Sequence, residues 1–240
     1  MTPLILAACL LSPCASLAQD PPAESAEQAF KKIEEVVSKA KSTRVRYTWE
    51  GVSASDQAGK VEATGMVLIK EGNRTSMTAT IIERNHSSEL KIVSDGTTVK
   101  TKLGPRRVLE CAVPRNLEEG LKLALHRLGA MQAILIAHKV CMLEEEEQEE
   151  ALKLRKKPPI SDFRDGPDDG DTKTILYKIT PEGSENAAEV KLWYEPKSYQ
   201  LVKRTITIKK PTESIFTEIY KEWTLDPELE NDEFKLPSVK

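Results

Sequence analysis

The sequence predicts an α+β fold: one curved, antiparallel sheet of about nine to eleven strands, with an N-terminal helix and a central helical segment on its concave side. Three observations predict it. Val93–Val99 reads VSDGTTV, and Asp-Gly between alternating runs marks a hairpin, because a type I′ turn needs positive φ at both central residues. Runs with apolar residues at every second position stand both before residue 104 and after residue 172. Between them lies LEEGLKLALHRLGAMQAILIAHKVCML, whose stretch from Leu128 to Ala137 carries no charge.

A chain of 240 residues, 39 % of them hydrophobic, supports one sizeable core, since all-β domains of roughly 200–250 residues are common. Lys and Arg number 35 against 38 Asp and Glu, interspersed along the chain. Nothing in this balance argues for nucleic-acid binding, which would need a clustered basic face. Residues 1–18 hold no charged side chain, and Ser16-Leu17-Ala18 puts small residues before Gln19-Asp20. That is the grammar of a signal peptide over 1–18, leaving 19–240 as a single exported domain. Leu6-Ala7-Ala8-Cys9 offers a second cut that would leave a lipid anchor on Cys9. Cleavage after Ala18 removes Cys9 and Cys14 and leaves Cys111 and Cys141. In an oxidising compartment these two form a candidate disulfide. Their spacing alone leaves open whether they pair or stay as two thiols.

From Ala23 to Lys41 the residues Ala26, Ala29, Ile33, Val36, Val37 and Ala40 recur at steps of three and four, an amphipathic helix. Ser25 with Gln28 supplies a capping box. Strands follow: Val45, Tyr47 and Trp49 share one face, then Val61, Ala63, Val67 and Ile69, then Met77, Ala79 and Ile81. Met66 and Leu68 make the second face of their strand apolar as well. Leu90 and Ile92 precede the Asp-Gly turn, and Val99 and Leu103 follow it. Gly104-Pro105 ends the run, and Asn116 can cap a helix from Leu117. That helix is too short to span a membrane. Being apolar all round, it should be buried or cover an apolar surface. Residues 116–157 are read as a helical lid running into an acidic arm at Glu144–Glu150, and 158–172 as a flexible loop rich in Asp and Gly. In the closing strands Ile175, Tyr177 and Ile179 alternate, as do Val190, Leu192 and Tyr194. Leu201–Ile208 returns as a partner, and the last strand places Ile215, Ile219 and Trp223 on one face, with Phe216 and Tyr220 on the other.

No Gly-x-Ser-x-Gly, Walker loop or Gly-x-Gly-x-x-Gly is present, which removes the common hydrolase, NTPase and dinucleotide signatures. His138 and Cys141 are three apart and can share a helix face, but two ligands do not make a zinc site. No catalytic residue, metal or cofactor is expected.

Three stretches resemble the LolA-like carriers of outer-membrane lipoproteins and the wider lipoprotein-localisation superfamily. They are the leader and amphipathic helix running into RVRYTWEGV, the VSDGTTVKT hairpin, and the tail KLWYEPKSYQLVKRTITI…IYKEWTLDPELENDEFKLP. The resemblance implies an open half-barrel with helices as a lid over an apolar hollow that receives acyl chains. It also implies an arginine that latches the lid. Arg46 falls in a similar early strand, where alternation puts it on the polar face. The expected function is therefore a non-enzymatic carrier of lipid or acylated lipoprotein in the periplasm of a Gram-negative-type bacterium, or secreted. It would act as a monomer, with a membrane-associated donor or acceptor protein as partner and no nucleic acid. The expected cavity lining is Val45, Tyr47, Trp49, Val67, Ile69, Met77, Ile81, Leu90, Ile92, Val99, Leu128, Met131, Leu135, Trp193 and Trp223. The competing expectation is a secreted sensor or scaffold with a filled core, which binds a protein partner.

Overall fold

Alternation along the chain becomes a single antiparallel sheet in the computed structural model. The structure describes residues 24–54, 59–84, 86–105, 108–143, 147–148, 160–180, 187–209 and 212–235. The expected leader, most of the acidic arm and the start of the expected 158–172 loop lie outside them. Helix α1 (Ala26–Lys39) is followed by six strands: β1 (Ser42–Ser53), β2 (Lys60–Lys70), β3 (Arg74–Glu83), β4 (His86–Asp95), β5 (Thr98–Leu103) and β6 (Leu109–Ala112). Helices α2 (Leu117–Arg127) and α3 (Ala130–Val140) come next, then β7 (Ile160–Asp165), β8 (Lys173–Ile179), β9 (Ala188–Tyr194), β10 (Leu201–Ile208) and β11 (Ser214–Leu225). The sheet runs β6-β5-β4-β3-β2-β1-β11-β10-β9-β8-β7, so two meanders join where β1 meets β11, and the sheet stays open at β6 and β7. This is the curved, open sheet with helices that the sequence predicts.

α1 begins as expected. The Ser25 hydroxyl accepts from Gln28 N–H, the Gln28 side chain accepts from Ser25 N–H, and Ala26, Ala29, Phe30, Ile33 and Val37 face the core. The main core joins that helix face to the inward side chains of β1–β5 and β8–β11, with α2 and α3 packed among them. The apolar second face of β2 has a separate cause. Leu229 and Phe234, in the tail beyond β11, pack on Leu68 with Met66 at the margin. Lys70 Nζ donates to Leu229 C=O, and Arg74 donates to Asn231 Oδ1 at 2.7 Å, which ties the tail down.

The structure corrects four expectations. The β4–β5 hairpin is present, but only Gly96 takes positive φ there (+100°), so the turn is not type I′. Asp95 Oδ1 instead accepts from the N–H groups of Thr97 and Thr98 at 2.8 and 2.9 Å, an Asx-type closure. The segment expected to be a flexible loop holds β7, an edge strand whose Phe163 ring packs 5.2 Å from Phe30. The one long central helix is two, broken at Leu128–Gly129. Finally, a bulge opposite Arg46 and Tyr47 changes the phase of β11 between Tyr220 and Glu222. Trp223 therefore joins Tyr220 in the core, at 4.9 Å between ring centroids, while Ile215 and Ile219 remain 41 % and 38 % exposed.

Candidate functional site

The break between α2 and α3 organises the site. A helix that ends leaves its last carbonyls unpaired, and a helix that starts leaves its first N–H groups unpaired. Two buried charges on neighbouring strands meet these needs. Arg204 in β10 and Glu218 in β11 are cross-strand partners. The Arg204 guanidinium donates to the carbonyls of Leu125 (3.2 Å) and His126 at the end of α2. The Tyr177 hydroxyl donates to Arg127 C=O at 3.4 Å. Glu218 accepts from Ala130 N–H (3.0 Å) and Met131 N–H (2.8 Å) at the start of α3, and from the Tyr220 hydroxyl at 2.7 Å. Each charge sits at the dipole end that favours it. Burial opposes the Arg204 charge, but Tyr220, Tyr177 and Glu218 around it more than offset that, so its pKa lies above the ordinary value.

Gly129 makes this close approach possible. It holds φ +107° and ψ 171°, a region open to glycine almost alone, and a Cβ there would lie 2.3 Å from Glu218 Oε2. Gly129→Ala should therefore cost about 2–4 kcal/mol. Calorimetry should show a melting temperature lower by roughly 4–16 °C, with faster amide exchange across α3.

Beside the break is an apolar pocket of about 210 Å³. Trp49 of β1 and Phe216 of β11 stack as one wall, centroids 5.7 Å apart with planes at 19°. Leu128 at the end of α2 and Gln132 of α3 line it, as do Ile179, Ala188, Ile206 and Ile208 from β8–β10, and Arg204 and Glu218. A larger groove of about 780 Å³ runs between α1, α2 and the β2–β3 turn. Glu34, Glu118, Glu119, Arg115 and Lys122 line it, which suits water and ions rather than an acyl chain. His126 also borders this groove; burial, aided by Arg127, pulls its pKa down from 6.5 to about 3.

Of the expected lining residues, Trp49 and Leu128 border the pocket. Val45, Tyr47, Val67, Ile69, Met77, Leu90, Ile92, Val99, Met131 and Trp223 are packed into the main core, with Ile81 at its margin. Two expected placements are corrected. Leu135 lies on the outer side of α3, 39 % exposed. Trp193 alternates with inward-facing Leu192 and stands on the opposite face of the sheet, between the ammonium groups of Lys191 and Lys203 at 4.6 and 4.8 Å. Arg46 pairs with Glu222 at the surface, on the polar face of the sheet.

Arg204 and Glu218 were not singled out from the sequence, although a signal was present. Arg204 is in phase with Ile206 and Ile208, and Glu218 with Phe216 and Tyr220. A charge in the inward phase of a strand must find partners or destabilise the fold.

No family model matches the sequence, and no curated protein matches it. Solved structures similar to this chain include a LolA superfamily protein from Nitrosomonas europaea, at 12 % identity and TM-score 0.35, covering 89 % of this chain and 99 % of that one. LprF from Mycobacterium bovis matches at 11 % identity and TM-score 0.41, covering 85 % and 96 %. A putative outer membrane lipoprotein-sorting protein domain from Vibrio parahaemolyticus matches at 10 % identity and TM-score 0.35, covering 88 % and 95 %. The site itself is assigned from its own geometry.

Proposed function

We propose that this chain is a non-enzymatic carrier or binding protein for a lipid or acylated protein, acting in the periplasm or after secretion. An acyl end would seat beside Trp49 and Phe216. The observation that carries the reading is an apolar pocket that shares a wall with the helical lid at the Arg204–Glu218 pair. Its volume is below the roughly 300–1,000 Å³ of typical ligand pockets, so full entry requires the lid to lift. Lifting exchanges lid burial for ligand burial, each worth on the order of 25 cal/mol per Å². No covalent step is needed. The charge-free leader at residues 1–18 supports export, and a membrane-associated donor or acceptor would complete the cycle.

A second reading, a secreted sensor or scaffold, is favoured by one observation: Met131, Ile134 and Ile136 of α3 already fill the concave side. Titration of the full chain with NBD-labelled palmitate and with a diacylated lipopeptide separates the two. The carrier reading expects saturable binding, weakened roughly tenfold or more by Phe216→Ala and unchanged by Ile82→Asp on the outer face. Absence of saturable binding, or equal weakening by both variants, would overturn it in favour of the filled-core protein.

A further inference from the structure

We propose that Cys111 and Cys141 form a disulfide that ties the C-terminal end of α3 to the edge strand β6. Their Sγ atoms are 2.7 Å apart. A bond needs about 2.05 Å, so a further approach of roughly 0.65 Å suffices. Cys141 is the C-cap residue of α3. Cys111 stands in β6 opposite Val99 of β5, and Cys141 Sγ also lies 3.8 Å from Val99 C=O. Both side chains are half-buried, within reach of a small oxidant. They are 30 residues apart, and the strand they meet on is four residues long and paired on one side only. The bond would thus secure both the end of α3 and the shortest described strand of the sheet. With Glu218 holding the other end of α3, the helix is fastened at both termini.

The two thiols share one S–H···S contact in which either sulfur can be the donor. That contact pulls the Cys111 pKa down, while the same contact and burial push Cys141 up. One of the two, as its thiolate, attacks one sulfur of an external disulfide, of the glutathione or protein-disulfide class, and one thiolate leaves. The other thiol then loses its proton to solvent and attacks the protein sulfur of the mixed disulfide, expelling the second thiolate. Two electrons pass from the pair to the oxidant, and two protons are released. A dithiol reductant reverses the sequence. The bond stands independently of what occupies the Trp49–Phe216 pocket.

The test takes the reduced full chain, treats it with oxidised glutathione, alkylates it under denaturing conditions and maps its peptides. The expected product is a linked Cys111–Cys141 peptide pair resistant to alkylation until reduced, with a melting temperature about 7–15 °C higher. Cys141→Ser and Cys111→Ser should each stop at a stable glutathione adduct on the remaining thiol, with no linked peptide pair and no rise in melting temperature. Alkylation of both thiols after oxidation, arrest of the unaltered chain at the glutathione adduct, or pairing with Cys9 or Cys14 would each overturn the proposal.

Discussion

Arg204→Met is expected to lower the unfolding free energy by about 3–5 kcal/mol, because it leaves two helix-end carbonyls unpaired and removes the buried positive charge that faces Glu218 across the strand pair. For a chain of this size that is a fall of roughly 6–20 °C in melting temperature. The damage should be local before it is global: amide exchange should rise first in α2 and α3, since Arg204 is what the end of α2 rests on. The double variant Arg204→Met with Glu218→Gln should recover part of the loss, as it removes the uncompensated charge and keeps a side chain able to accept from Ala130 or Met131. A single variant that melts within about 2 °C of the parent, with unchanged exchange in α2, would show that the two charges do not secure the ends of α2 and α3.

The second large effect is an acid sensitivity set by His126. Its ring is buried against Phe30, its Nδ1 lies 3.3 Å from Lys122 C=O, and its Nε2 has no hydrogen-bond partner among the described residues. The charged groups around it are Glu34 at 3.7 Å, Arg127 and Arg204. In the unfolded chain the imidazole titrates near 6.5, while in the fold its pKa is about 3. The folded value is the lower one, so above about pH 6.5 both states are neutral and the full stability is present. As pH falls below 6.5 the unfolded state takes the proton first, and stability drops by up to about 1.4 kcal/mol per pH unit, reaching roughly 4–5 kcal/mol near pH 3. Urea unfolding at pH 7.5, 6, 5 and 4 should show the parent losing about 3–3.5 kcal/mol more by pH 4 than His126→Phe, whose carboxylates titrate alike. A difference between the two that stays constant with pH would remove His126 as the cause.

Most strands were legible because each has one wet and one dry face, and period-2 alternation reports that directly at Val45, Tyr47, Met77 and Ile92. The failures share a cause too. A single inserted residue near Lys221 reverses the phase of everything after it, and nothing in IYKEW announces the insertion. β7 escaped because an edge strand exposed on both faces reads as polar loop, Phe163 excepted. Gly129 was visible within the charge-free run, but a continuous apolar pattern outweighed one glycine until the charges on β10 and β11 were seen to need helix ends. The pocket is not legible for a related reason: its walls come from five strands, β1 and β8–β11, which only the sheet order brings together, and from Leu128 and Gln132 at the break between α2 and α3.

That sheet order has a consequence for how the chain is made. Val45 near the start pairs with Trp223 near the finish, so the central seam cannot close while a ribosome or translocon still holds the last strand. Non-local pairing of this kind makes for slow folding, and until it completes, β1 presents an open border able to zip onto a neighbouring copy. A chain released one end first would stay in that state until residue 225 is free.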